Sequence, residues 1–185
     1  MHFFISSMCF SYGVDLNARR SMSWIILLLA LLGISIHGHA QEAKEPTKLS
    51  LTIEATSGVN PDISLRASPI KVRIYELKDN AAFVEADYFS LDNTDKTTLG
   101  ADLLAKEEFI LRPGEKKIIE RKSNPQTTAI GVLAGYRDLS NATWRVVQVL
   151  KPAPEVSWYR FAIPANKLEI LIQLQPQGIV LIDTP

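Results

Sequence analysis

The strongest constraint on this chain is its alternation. KLSLTIEA, Lys48 to Ala55, sets Leu49, Leu51, Ile53 and Ala55 against polar neighbours. IKVRIYEL, Ile70 to Leu77, alternates Ile70, Val72 and Ile74 with Lys71, Arg73 and Tyr75. Successive side chains on a strand point to opposite faces, so a period of two marks a strand with one face in a core. The later apolar runs EFILR, KKIIER, TTAIGVLAGY, WRVVQVL, Trp158 to Ile163, KLEILIQLQ and GIVLI are as short. Turn residues separate several of them: Pro113-Gly114, Asn124-Pro125 and Pro176-Gln177-Gly178, the last as a hairpin. About eight short strands so spaced specify an all-β, two-sheet sandwich over residues 48–185. One stretch departs from the rhythm. After Asp79 or Asn80, either of which can cap a helix, Phe83, Ala86, Phe89 and Leu91 recur at helical spacing. LDNTDKTTLG then reads as turn and ADLLAK as one further helical turn, so a small helical insertion is expected.

The first forty residues obey a different rule. Arg19 and Arg20 precede the apolar run WIILLLALLGISI, Trp24 to Ile36, and Gly38 and Ala40 follow at the −3 and −1 positions of a cleavage site. This is the layout of a secretory signal over residues 1–40, with cleavage expected after Ala40 and a short tether over residues 41–47. The n-region is long, which makes Met22 an alternative start. The apolar run falls short of the roughly 20 residues that span a bilayer, so an uncleaved anchor is the alternative. Ser21-Met22-Ser23 continues a twin-arginine signal poorly.

Cleavage there would remove all three histidines (His2, His37, His39), the single cysteine (Cys9) and all three methionines (Met1, Met8, Met22). What is left would lack the residues for Ser-His-Asp or Cys-His catalysis, for a His- or Cys-ligated metal and for a disulfide. With 20 basic and 20 acidic residues, no basic field marks nucleic acid or an anionic membrane surface as a partner. Asp92-Asn93-Thr94-Asp95 lacks calcium-loop spacing, because Lys96 and Thr97 stand where an oxygen ligand and a glycine belong. Asn141-Ala142-Thr143 matches a glycosylation sequon of a kind common by chance. Glu107 and Glu108 are adjacent on a strand and point to opposite faces, so they do not flank one glycosidic bond. No catalytic residue, metal ligand or cofactor is expected.

Two surface features remain. The loop from Asn60, NPDISLRASP, carries two prolines and is long for a link between strands. Pro61 fixes its own φ and turns Asn60 away from the helical region, which pre-organises the loop. Asp62 and Arg66 can supply a polar rim. The second feature is Ala134-Gly135-Tyr136-Arg137-Asp138, which closes a strand with an aromatic and an opposite-charge pair. Tyr136, Arg137 and Asp138 are a candidate secondary contact, against the plain reading of a strand end with a solvated ion pair. Trp144 reads as core at the start of a buried strand.

These residues also form an ordered series. It runs Asn60-Pro61-Asp62, Ser68-Pro69, Val72 to Lys78, Phe83, Ala86 to Leu91, Leu99-Gly100-Ala101-Asp102, Pro113-Gly114, Ile130-Gly131-Val132 and Ala134 to Asp138. Behind a secretory signal, that series resembles the TssJ (VasD, SciN) family, outer-membrane lipoproteins of the type VI secretion system, over about Leu49 to Leu150. The resemblance implies a transthyretin-like sandwich and a non-catalytic assembly role with no small-molecule substrate. It implies binding to the periplasmic C-terminal region of TssM, an inner-membrane IcmF-type protein, alongside other membrane-complex subunits. It implies that the loop joining the first two strands, Ser57 to Ser68, makes that contact, with Asn60, Pro61, Asp62, Ile63, Ser64, Leu65 and Arg66 as the candidate residues. Removal of Val59 to Leu65 is expected to weaken binding while changing the melting temperature little.

The chain departs from that family at one point. Its members usually carry a lipidated cysteine directly after the signal h-region, and the corresponding SIHGHAQEA has none. Cys9 precedes the h-region behind ISSM, a poor lipobox, so no lipidation site is evident. Acyl burial contributes about 0.8 kcal/mol per CH₂. Without it the expected location is the periplasm, with partners supplying the association with the outer membrane. Two rival classes remain. A periplasmic carbohydrate-type module would present aromatics on one face, which the adjacent Trp158 and Tyr159 do not. A carboxylate hydrolase would need two acids in one cleft.

Overall fold

The structure, a computed structural model, describes residues 45–152 and 166–183. The signal segment, Cys9 and the expected strand from Trp158 to Ile163 lie outside the described residues. Eight strands are present among them: β1 (Lys48–Ala55), β2 (Ile70–Leu77), β3 (Leu103–Leu111), β4 (Lys116–Lys122), β5 (Ala129–Ala134), β6 (Arg145–Val149), β7 (Lys167–Gln175) and β8 (Gly178–Asp183). They form two four-stranded sheets, ordered β4-β1-β7-β8 and β3-β2-β5-β6. The all-β sandwich expected from the alternation is what the chain builds. β1 sits inside its sheet, antiparallel to β4 and parallel to β7. Strand directions therefore sort the connections. The β1–β2, β3–β4, β5–β6 and β7–β8 links lie at one end of the sandwich, and the chain enters β1 at the other.

The core follows from the period of two. Leu49, Leu51, Ile53 and Ala55 of β1 are at most 2% exposed, and Val72, Ile74, Val132 and Ile172 meet them from the other strands. Each such aliphatic side chain contributes about 1.5–3 kcal/mol by leaving water. The inward row of β2 ends on a carboxylate. Glu76, 1% exposed, accepts hydrogen bonds from the Asn124 N–H (2.7 Å) and the Thr127 hydroxyl (2.9 Å). Its other oxygen lies 2.9 Å from Arg121 on β4.

The second face of β2 is also buried, because the segment between β2 and β3 folds over it. That segment forms α1 (Ala81–Glu85), α2 (Tyr88–Asn93), α3 (Asp95–Leu99) and a 3₁₀ turn at Gly100–Asp102. Three expectations are corrected here. The single amphipathic stripe breaks at Ala86, whose backbone is extended (φ −65°, ψ 147°), so Phe83 and Leu91 are buried while Phe89 is 64% exposed. LDNTDKTTLG is mostly helix: α2, capped by Asp87 accepting from the N–H groups of Phe89 (2.9 Å) and Ser90 (3.0 Å), runs through Asn93, and α3 follows from Asp95. ADLLAK forms no helical turn beyond the 3₁₀ residues, and β3 starts at Leu103.

Tyr75, Leu77, Phe83, Leu91, Leu99, Ala129 and Leu133 make a second core under the helices. Arg73 of β2, 7% exposed, donates to the carbonyls of Leu91 (3.0 Å) and Asp92 (2.8 Å) at the end of α2 and pairs with Asp92 and Glu108. A cation at a helix C-terminus satisfies carbonyls that have no partner inside the helix. Gly131 makes the fit possible: a Cβ there would lie 2.9 Å from two ring carbons of Phe83. Trp144 bridges the two cores half-buried, with the Arg145 guanidinium 4.6 Å from its ring centre.

Candidate functional site

The site lies at the end of the sandwich opposite the point where the chain enters β1. It begins with the β1–β2 loop. The neck of the loop is part of the fold: Val59 is fully buried, its N–H bonds the Thr56 carbonyl (3.1 Å), and its carbonyl accepts from Ser68 (3.1 Å). Next comes Asn60, 4% exposed, in the left-handed region at φ +50°. Asparagine tolerates that conformation better than most side chains. Pro61 thus keeps Asn60 out of the right-handed helical region, but the backbone turns left-handed rather than extended. The Asn60 Nδ2 donates to the Pro69 carbonyl (2.9 Å), and its Oδ1 accepts from the Arg137 N–H (2.8 Å).

Beyond Asn60 the loop holds itself. Asp62 Oδ1 accepts from the N–H groups of Ser64 (2.8 Å) and Arg66 (2.9 Å), and Oδ2 accepts from Arg66 Nε (2.9 Å). The Asp62 N–H donates to the Arg66 carbonyl and the Leu65 N–H to the Asp62 carbonyl, both at 2.9 Å. The backbone N–H of Arg66, then its guanidinium, hold the Asp62 carboxyl below its ordinary value, and Arg137 adds to this. Leu65 closes the turn in the left-handed region at φ +60°. This framework leaves Ile63 104% and Leu65 86% exposed at the tip. Two aliphatic side chains therefore stand out into water on a loop whose backbone is tied by several hydrogen bonds.

The second candidate segment stands beside the first. A cleft of about 770 Å³ runs between the loop tip, the Tyr136–Ala142 stretch and the β7–β8 turn. Pro61, Ile63, Leu65, Tyr136, Ala142 and Pro176 give it apolar walls, and Asn60, Asp62, Arg137, Asp138, Asn141 and Gln177 are polar groups around it. Arg137 and Asp138 are exposed but are not joined as an ion pair; Asp138 instead accepts from the Asn141 amide (2.8 Å). Tyr136 is 4% exposed, its hydroxyl meets no hydrogen-bonding group among the described residues, and burial alone raises its pKa.

Of the residues singled out from the sequence, all ten surface candidates therefore fall at one end of the molecule, but not in one role. Asn60 and Tyr136 are buried and build the surface from beneath. Ile63, Ser64, Leu65 and Arg66 are exposed on the loop. The turn residues Pro176 and Gln177 were not singled out; only the hairpin signal around them marked the position. The other clusters serve the fold. Asp92 pairs with Lys71 and Arg73, and Asp95 with Lys106 (2.6 Å), and among the described residues no group of three or more acidic, His or Cys side chains is placed to hold a metal. Glu107 pairs with Lys117 (3.0 Å) while Glu108 pairs with Arg73.

Comparison with known proteins gives a consistent set of relatives. The family model T6SS-SciN, described as type VI secretion lipoprotein (VasD, EvfM, TssJ), matches residues 47–177. The chain is similar to the type VI lipoprotein TssJ1 of Pseudomonas aeruginosa, at 38% identity and TM-score 0.66, over 76% of this chain and 98% of that one. It is similar to Lip of Serratia marcescens, a membrane-bound component of the type VI secretion system, at 33% identity and TM-score 0.67, over 75% and 99%. It is also similar, at 26% identity and TM-score 0.57, to a chain in the structure described as the TssM C-terminal domain from EAEC, over 74% and 98%. No curated protein matches the sequence.

Proposed function

The chain belongs to the type VI secretion lipoprotein family of VasD, EvfM and TssJ, and from that membership we propose that it is an assembly subunit of the type VI membrane complex that docks the periplasmic C-terminal region of TssM through the β1–β2 loop. The observation that carries the loop assignment is the pair Ile63 and Leu65, held out into solvent by a loop whose neck is buried. A loop whose backbone is already tied loses little backbone entropy on docking, and two aliphatic side chains, once covered, supply apolar burial at the centre of an interface. A similar chain occurs in a solved structure described by the TssM C-terminal domain, which favours TssM as the partner. The domain works on the periplasmic side of the outer membrane. With no cysteine in SIHGHAQEA, its association with that membrane comes through its partners. The rival carbohydrate reading gains nothing from the cleft, whose aromatic wall, Tyr136, is buried in the core.

Calorimetric titration of the chain with the periplasmic C-terminal domain of TssM tests the assignment. The unmodified chain binds, and Ile63→Asp with Leu65→Asp removes measurable binding while leaving the melting temperature within about 2 °C, since exposed positions rarely move stability by more than about 0.5 kcal/mol. Equal affinity for the unmodified and doubly substituted chains refutes the role of the loop.

A further inference from the structure

The two candidate segments, the loop tip and Tyr136–Asp138, are joined by one side chain, that of Asn60. It reaches across 77 positions of sequence to accept from the Arg137 N–H (2.8 Å), and back to the Pro69 carbonyl (2.9 Å) to close its own loop. The residue is buried and sits in a left-handed conformation that most side chains resist. It is too enclosed to contribute a contact area of its own. Its neighbours on either side differ in kind: Val59 belongs to the core, whereas Asp62 to Arg66 form a self-contained turn. Asn60 is the hinge point between them, and the direction in which Ile63 and Leu65 point is set where its amide is held.

We infer that Asn60 is a positioning residue for docking: by bridging Pro69 and Arg137 it fixes the loop tip against the Tyr136–Asp138 segment, so that a partner meets one preformed surface rather than two independent loops. This rests on the reading of the loop as the docking surface. A lost bridge leaves a part-buried N–H and a part-buried carbonyl without their partner and frees the tip, so affinity falls by about tenfold, the equivalent of about 1.4 kcal/mol.

The test has one arm without a partner and one with it. In the unmodified full chain, the Arg137 amide exchanges with deuterium far more slowly than the neighbouring exposed amide of Asp138; equal exchange overturns the bridge whether or not TssM binds. In the second arm, the TssM periplasmic domain is titrated against Asn60→Gly, which keeps the left-handed backbone and loses both bonds, and against Asn60→Asp, which keeps the oxygen that accepts from Arg137. Asn60→Gly binds about tenfold more weakly and Asn60→Asp binds between it and the unmodified chain. Ile119→Val, a core change, lowers the melting temperature without moving affinity. Retained affinity in Asn60→Gly, or equal weakening by Asn60→Gly and Asn60→Asp, overturns the inference. If the unmodified chain does not bind TssM, the docking assignment falls, while the exchange measurement still decides the bridge.

Discussion

Gly131→Ala puts a single methyl group where the structure has no room for it. The new Cβ would stand 2.9 Å from both Cε1 and Cζ of Phe83 and 3.2 Å from Cδ1 of Leu77. Comfortable carbon contacts begin near 3.5 Å, so the ring must retreat by about half an ångström. The strand cannot yield instead, because β5 is held on both sides and Gly131 lies between Tyr75 of β2 and Val147 of β6. Phe83 is fully buried with its ring 5.3 Å from that of Tyr75, and the α1 carbonyl of Phe83 accepts from Arg145 (2.8 Å), so its retreat loosens the insertion as a unit. Overpacking of this kind costs about 1–3 kcal/mol, and the stiffer unfolded chain gives back about 0.4–1. The net loss is about 1–2 kcal/mol, a fall in melting temperature of about 4–8 °C for a domain of this size. The decisive assay is a cycle in thermal or urea unfolding with Phe83→Leu. If the ring is what the methyl strikes, Phe83→Leu is less damaging in the Gly131→Ala background than alone, with a coupling of about 1 kcal/mol. Costs that add within about 0.3 kcal/mol refute the steric account.

Three further changes probe the loop neck, the buried carboxylate and the helix-end ion pair. Deleting Val59 to Leu65 costs about 2 kcal/mol or more in urea unfolding, because Val59 and Asn60 are buried parts of the fold, contrary to the expectation from sequence that the loop is removable; Ile63→Ala with Leu65→Ala changes stability by less than about 0.5 kcal/mol. Glu76→Ala strands the Asn124 N–H, the Thr127 hydroxyl and Arg121 and lowers unfolding stability by about 3 kcal/mol. Burial pushes the Asp95 carboxyl up, but the bond and charge of Lys106 outweigh it and hold the pKa below 3.8. A depressed carboxyl stabilises the fold above its unfolded pKa and ceases to as the pH falls through the folded one. The melting-temperature advantage over Asp95→Asn is therefore full at pH 7 and closes on the acid side of pH 3.8; a gap that persists unchanged into strong acid contradicts it.

How much of this could be read beforehand differs from element to element. β1 and β2 begin and end where their alternation does, because a half-buried strand writes its pattern in neighbouring residues. What covers the second face of β2 could not be read there. Lys71, Arg73 and Tyr75 look like solvent-facing residues until a segment 18 or 19 positions later sets its helix carbonyls on Arg73. The same holds for Phe89, whose spacing from Phe83 and Ala86 fits one helix, whereas the extended backbone at Ala86 starts a second. At the site, the two prolines and the strand end at Tyr136 each marked a segment. Their meeting depends on strand order, which places the β1–β2 and β5–β6 loops at one end, and on a bond between residues 77 apart. Ile63 and Leu65 are candidates only through the family resemblance, since nothing in the residues themselves keeps such a pair out of a core until Asp62 and Arg66 close beneath them.

The course of β1 also decides how the molecule bears force. Anything attached ahead of Lys48 and anything seated on Ile63 and Leu65 pull on opposite ends of this one strand, about 26 Å apart at 3.3 Å per residue. β1 is laced to β4 along one side from Lys48 to Glu54 and to β7 along the other from Lys48 to Ala55. Tension between the two attachment points therefore runs parallel to the strand and loads both ladders in shear, many hydrogen bonds together, rather than peeling them apart singly. A load applied between the segment ahead of Lys48 and the β1–β2 loop would therefore meet its greatest resistance along this strand, with both ladders sharing it.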